Sequence, residues 1–268
     1  MLISYGNISL VVYIKGTNWD KLAGNHLFLF AIFFVGVMTF NVKADTLQLS
    51  SLNWPPYTGE QLANGGASVA VVHAALRAMG HELHVDYYPW SRTIRMVSRE
   101  DTIYSGYFPE YDHPTDQYLF SESIGTSPLG ILEQQVNPIK WSDIKDLNQY
   151  TLGVVQGYVN TIELDEMITS GAQQVEVVSS DEHNIRKVAT GRVHGAVIDK
   201  YVYNYYIHQP HLIALKKKLE MNKQLLASKQ LYIAFKNTPE GRKWREIFNE
   251  GLALIDPQQI TEEYLASM

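Results

Sequence analysis

The sequence predicts an α/β protein of two lobes. Short apolar runs rich in β-branched residues alternate with segments carrying helix caps and helical apolar spacing, and this alternation occurs as two successive sets. A third observation bears on function. Residues 47–59, LQLSSLNWPPYTG, read as a first strand opening at its C-terminal end into a loop with Trp54, Pro55, Pro56 and Tyr57. Two prolines fix φ and remove donors, so the neighbouring rings have little conformational freedom left to lose. Ligands of open α/β sheets bind outside the carboxyl ends of the strands, which makes a rigid aromatic loop there a candidate binding wall. The competing reading is that the two aromatics simply seal the top of a core.

Ahead of this strand, residues 27–40 form an apolar run with Lys15 and Lys21 upstream, followed by Val42-Lys43-Ala44. That order matches a signal peptide at residues 1–44, cleaved after Ala44, and implies a periplasmic protein. The run is fourteen residues long, short of the roughly twenty needed to span a bilayer as a helix. The segment before Lys21 is longer than a usual n-region, which leaves open both a later true start and an uncleaved anchor. Removing residues 1–44 takes away three Lys and one Asp and carries the net charge from −6 to −8. So acidic an exported chain is ill suited to nucleic acid or to an anionic membrane surface. With no cysteine in the chain, disulfides and thiolate metal sites are excluded, and stability rests on a hydrophobic core.

Along the mature chain, Gly65-Gly66 leads to Ser68 as N-cap of a helix over 69–79, with Val69, Val72, Leu76 and Met79 on one face. Gly80 ends it. Residues 83–88 read as a strand, 93–98 as a helix and 102–107 as a strand. The second set has a helical turn at 143–147, a strand at 151–155, a helix at 161–168, a strand at 175–178, a helix at 182–190 and a buried strand at 195–199. A strand at 231–235 and helices at 240–255 and 260–266 close the chain and are expected to return to the first lobe. Two lobes imply a cleft.

Several residues are candidates for lining it. The loop Gln156-Gly157-Tyr158-Val159-Asn160 joins a strand to a helix, where free N–H groups attract carboxylate or phosphate; such loops also occur without ligands. Asp199 ends the strand Ala196-Val197-Ile198, placed either to receive an ammonium or hydroxyl group or to cap the following turn. Residues 104–127 are dense in Tyr, Ser, Phe and Pro, including Tyr107 and Ser127, a composition that supplies ring area and hydroxyls for a small polar ligand. Trp90 and Arg92 follow a strand and are expected at the same cleft mouth. Arg92 suits bidentate capture of a carboxylate, or a surface ion pair.

Signatures of common enzymes fail. The chain has no G-x-S-x-G elbow, no H-E-x-x-H helix and no phosphate-binding G-x-x-x-x-G-K-[ST] loop. Ser142-Asp143-Ile144-Lys145 matches S-x-x-K but lacks the companion motifs. His208 and His211 make a poor metal pair, and no cofactor is expected. Lys216-Lys217-Lys218 reads as a solvated helix face.

The pieces LNWPPYTGE, YYPWSRTIRMV, YLFSESI, IKDLNQYTLGVVQGY, VATGRVHGAVIDKYV and YIAFKNTPEGRKWREIFNEGLALI, in that order behind a signal peptide, resemble the family 3 periplasmic solute-binding proteins, the polar amino acid group serving ABC importers. The resemblance spans nearly all of the mature chain. It implies a type II periplasmic-binding-protein-like fold, with two crossover strands near 129–133 and 225–231 as hinge, lobe 1 at 45–128 plus 232–268, and lobe 2 with the hinge strands at 129–231. By the same resemblance Trp54 is the ring that stacks on ligand, Trp90 the next wall residue, Asp199 the ammonium-binding carboxylate, and residues 156–160 the carboxylate-binding loop.

One departure matters. Amino-acid binders of the family carry an Arg shortly before the Phe-Ser of lobe 1, and here that position falls on His113 or Pro114. Neither supplies the fork a carboxylate needs. Either Arg92 moves into that role or the ligand is not an ordinary α-amino acid. The implied function is a monomeric, non-enzymatic receptor for a small polar solute, with an ABC permease or a membrane receptor as partner. A dehydratase or lyase on the same fold is the remaining alternative, with Glu110 and Asp199 its candidate acid/base groups.

Overall fold

The computed structural model describes residues 44–268. The expected signal peptide and its cleavage site after Ala44 lie outside the described residues, except for Ala44 itself. Strand β1 (Thr46–Ser51) alternates its buried residues Leu47 and Leu49 with more exposed neighbours until its fully buried end. It pairs in parallel with β2 (Glu82–Tyr87) on one side and β3 (Gly106–Glu110) on the other. The parallel crossovers are made by α1 (Ala67–Ala78), whose Val71, Val72, Ala75 and Leu76 are buried, and by α2 (Trp90–Ser98). Parallel strands require such covering elements, which here form the first lobe.

After the short β4 (Tyr118–Phe120), β5 (Gly125–Gln134) crosses into the second lobe. There β6 (Leu152–Val155), α3 (Ile162–Thr169), β7 (Val175–Val178), α4 (Asp181–Ala189) and β8 (Gly195–Asp199) repeat the alternation, with β6 parallel to both β7 and β8. Helix α5 (Lys200–Ile207) follows β8 without a loop, and β9 (Leu219–Met221) pairs with β5. The return strand β10 (Ala227–Lys236) serves both lobes. Residues 227–231 lie antiparallel to β5, while its later residues lie antiparallel to β3 and β4. The sheet order is therefore β2-β1-β3-β10-β5-β8-β6-β7. β5 and β10 are the two crossover strands, each longer than the segments 129–133 and 225–231 expected from sequence.

Helices α6 (Pro239–Leu252) and α7 (Pro257–Ala266) pack back on α1 of the first lobe. Gly251 allows the close approach: a Cβ there would collide with the Ala75 carbonyl. Trp244 and Phe248 of α6 bury themselves in the core.

The structure departs from the expected elements in four places. α1 begins at Ala67 with Gly66 at its N-cap, so Ser68, expected as the cap, lies inside the first turn, its N–H held by the Tyr57 carbonyl. β3 begins at Gly106 rather than at residue 102, because Thr102 to Ser105 approach β1 as a loop and only Ser105 N–H reaches the Gln48 carbonyl. Residues 200–207, KYVYNYYI, form a helix where none was expected; their aromatic and β-branched content disfavours helix locally, and the Asp199 cap together with burial of Val202, Tyr203 and Ile207 overrides it. β4 and β9 are three residues each, too short to carry a period.

Candidate functional site: an aromatic and acidic interlobe cleft

The loop after β1 is a closed turn. Trp54 N–H donates to the Thr58 carbonyl (2.8 Å), Tyr57 and Thr58 N–H donate back to the Trp54 carbonyl (3.0 and 3.1 Å), and Thr58 Oγ1 donates to the Leu52 carbonyl (2.8 Å). The first N–H groups of α1 complete the anchoring, Ala67 to the Pro56 carbonyl (3.0 Å) and Ser68 to the Tyr57 carbonyl (2.9 Å). This helix N-terminus is therefore spent on holding the loop. Gly66 makes the approach possible, with φ of 108° and the Tyr57 carbonyl carbon 2.6 Å from where a Cβ would sit. Trp54 lies on Tyr57 with ring centroids 4.6 Å apart, and both are nearly fully buried.

From this loop the first lobe reaches across to the second. Tyr57 hydroxyl donates to Asp199 Oδ2 (2.9 Å), and so does Ser127 Oγ of β5 (2.6 Å); Ser127 in turn is 2.6 Å from the Tyr111 hydroxyl. Asp199 Oδ1 accepts the N–H groups of Tyr201 (2.6 Å) and Val202 (2.9 Å), capping α5. Both readings of Asp199 thus meet at one carboxylate, a helix cap whose second oxygen is held by hydroxyls of the first lobe and the crossover strand. Burial pushes its carboxyl up to about 6 against these four donors. Trp90 makes a second bridge. Its indole N–H donates to the Gly157 carbonyl (3.0 Å), and its ring meets Tyr158 edge-on at 6.2 Å.

Between these bridges lies a narrow cleft with a cavity volume of about 30 Å³, walled by Trp54, Trp90, Pro109, Tyr111 and Tyr158, with Glu110 on the first-lobe side. It continues towards Asn160, Asp181 and Asp199 in the second lobe. Asp181 is the first residue of α4 and 4% exposed. Its side-chain partner is the Tyr158 hydroxyl at a long 3.4 Å. The indole N–H of Trp54 faces it without reaching hydrogen-bond geometry and has no other partner among the described residues. Burial, with the neighbouring Asp199 charge, pushes the Asp181 carboxyl up to about 7. Glu110 is pushed up to about 8 by burial, against the Tyr111 N–H on Oε1 (2.8 Å), the Lys229 charge and the Tyr107 hydroxyl.

The remaining sequence candidates fall as follows. Tyr107 is buried beneath Trp90, edge-on at 5.5 Å, and positions that ring. Arg92 is exposed on α2, its guanidinium 4.9 Å from the Tyr88 ring centroid; it does not line the cleft. Gln156 is exposed, and its N–H is taken by the Val178 carbonyl. Tyr158 N–H is taken by the Val155 carbonyl. Asn160 borders the cleft but binds Asp165 through its N–H (2.9 Å) and Nδ2 (2.6 Å), and Thr161 is the cap of α3. Three N–H groups of the 156–160 loop are thus consumed internally. His113 donates through Nδ1 to the Tyr111 carbonyl (3.1 Å) and packs on Phe120. Among the described residues no Lys or Arg walls this cleft; Lys229, 5.1 Å from the Tyr111 ring centroid, is the cation nearest Glu110.

Comparison with solved structures decides the fold. An ancestral arginine-binding protein bound to arginine superposes with a TM-score of 0.66 at 16% identity over 83% of this chain and 97% of that one. The chain has a two-lobed, type II periplasmic-binding-protein fold. A histidine kinase sensor domain with similarity to periplasmic binding proteins superposes with a TM-score of 0.68 at 17% identity, covering 83% and 95%. An ancestral amino acid-binding protein, a precursor of cyclohexadienyl dehydratase, gives 0.62 at 16%, covering 83% and 94%. No family model and no curated protein matches the sequence. Among the described residues no helix is long and apolar enough to cross a membrane.

Sequence reasoning missed Asp181 and Tyr111 as cleft residues and raised Glu110 only as an acid/base candidate. Asp181 opens a helix behind the cap Ser180, a place where a carboxylate is favoured by the helix dipole alone. Only its burial marks it.

Proposed function

We propose that the protein is an exported receptor that closes its two lobes around one small polar solute. The lobes divide as 45–128 plus 232–268 and 129–231, with β5 and β10 flexing between them. The supporting observation is the interlobe cleft itself, where the buried Trp54 N–H lacks a partner and Asp181 lacks a strong one. Buried polar groups are ordinarily satisfied, and this loosely paired donor and acceptor both line the cleft, where a solute can complete their bonding. A solute bridging Trp54 and Trp90 to Tyr158 and Asp181 would stabilise the closed state by its differential affinity for closed over open. The expected partner is an ABC permease that accepts the closed form. The likeness to a sensor domain supports a second reading, in which the closed form instead docks on a membrane receptor.

Catalysis is not part of the proposal: Asp199 spends both carboxylate oxygens on the α5 cap and on the Tyr57 and Ser127 hydroxyls, and Glu110 accepts the Tyr111 N–H. Native mass spectrometry of protein purified without denaturation tests the reading. One small molecule bound at 1:1 is expected, released intact on unfolding and retained in reduced amount by Trp54→Ala. Chemical conversion of that molecule during incubation would favour an enzyme.

A further inference from the structure

The ligand's charge is legible in the cleft. We infer that the solute is a small organic amine cation without a carboxylate, its ammonium or guanidinium seated against Asp181 between the rings of Trp54 and Tyr158, its far end near Glu110. The inference rests on the receptor reading above. Four observations carry it. Asp181 is buried with a single long side-chain contact, so its oxygens retain accepting capacity. Trp54 and Tyr158, edge-on to each other at 6.5 Å, line the same pocket as that carboxylate, an aromatic setting in which a desolvated cation is attracted by ring quadrupoles. And the groups an α-carboxylate would need are committed elsewhere. Arg92 is out on α2, the 156–160 loop spends three of its N–H groups internally, and His113 is turned to the Tyr111 carbonyl. The unpartnered indole N–H of Trp54, 93% buried by its residue's 7% exposure, faces the same carboxylate.

A carboxylate entering this space would meet Asp181, Asp199 and Glu110, with Lys229 alone to offset them. An amine entering it pairs with Asp181 as that carboxyl gives up its proton, and a buried charge is costly unless paired. Binding then couples to proton release. The groups facing Asp181 are Asp199, Tyr111, Tyr158, Tyr206 and the Trp54 N–H. Of these only Asp199 titrates in the same range as Asp181. A bound cation lowers the carboxyl from about 7, so affinity rises with pH until that group is ionised in the free protein.

The test is calorimetric titration with two matched pairs, agmatine against arginine and putrescine against ornithine, which differ only in the α-carboxylate, with glutamate as a fifth probe. The expected result is that an amine binds at least tenfold more tightly than its carboxylated counterpart. Its affinity should fall more than tenfold from pH 8 to pH 5.5, and more than tenfold in Asp181→Asn. Should Asp181→Asn not fold, Glu110→Gln read at pH 8.5, where the wild-type carboxyl is ionised, is the second variant: a several-fold loss of amine affinity is expected, and unchanged affinity overturns the inference. Equal or tighter binding of arginine or ornithine, or unchanged amine affinity in a folded Asp181→Asn, overturns the inference. Glutamate binding with none to either amine overturns the charge assignment while leaving the receptor reading in place. Silence across all five, with no molecule in native mass spectrometry, overturns both.

Discussion

Glu110→Gln replaces a buried carboxyl by a neutral group of the same shape, and its consequence for stability can be worked from the structure. The carboxyl titrates at about 8 in the folded protein and near 4.3 when unfolded. Its folded pKa is raised, so the folded state binds the proton more tightly. Its stabilising contribution is therefore complete below the unfolded value and is lost as pH rises through about 8. Between pH 5.5 and pH 8.5 the linkage relation gives a loss of about 3 kcal/mol from this one group. Gln cannot titrate and removes that loss. Urea unfolding of the ligand-free wild type and of Glu110→Gln at both pH values measures it. Asp181 and Asp199 titrate in both proteins and cancel in the difference between their pH responses. The expected double difference is about 2–3 kcal/mol, with Glu110→Gln the less pH-sensitive protein. A double difference below about 0.5 kcal/mol would show that Glu110 is ionised or solvated in the folded state, and the argument from its burial would fail.

Two further substitutions probe the scaffold of the cleft. Tyr57→Phe deletes one of the four donors on Asp199 and one lobe-to-lobe bond; a loss of about 1.5–3 kcal/mol is expected in urea unfolding, and a loss under 0.5 kcal/mol would mean the bond is not formed in solution. Gly66→Ala forces a side chain onto the Tyr57 carbonyl at a φ of 108°, which is expected to cost about 1–3 kcal/mol and to weaken ligand binding by shifting the Trp54 loop. Wild-type stability and affinity in that variant would show that the loop is not anchored through the α1 N-terminus.

How far the sequence carried the account differs between scaffold and site. The alternation of strands and helices was readable because the inner parallel strands β3, β6 and β8 are buried throughout and the covering helices keep an apolar face, so local pattern and tertiary role agree at Leu47–Leu49 and Val71–Leu76. Trp54 and Trp90 were readable for a similar reason, since both follow the carboxyl end of a strand. Asp199 was readable as a position but not as a partner, because its contacts come from Tyr57, 142 residues away, and Ser127, 72 residues away. Asp181 was invisible. Ser180-Asp181-Glu182 satisfies the local chemistry of a helix start, and what distinguishes Asp181 from the more exposed Glu182 is packing against Tyr158 and Trp54 from distant segments. Arg92 shows the converse: its residue type fits an anion site, yet its place on the exposed face of α2 turns it to Tyr88.

The central claim is that one solute is gripped between the lobes against Trp54. Calorimetric titration of wild type and Trp54→Ala with amino acids, polyamines and small organic acids tests it most directly. The account predicts saturable 1:1 binding of at least one compound to the wild type and a loss of tenfold or more in Trp54→Ala, with unfolding of the variant still cooperative. Undiminished affinity in a folded Trp54→Ala would contradict it.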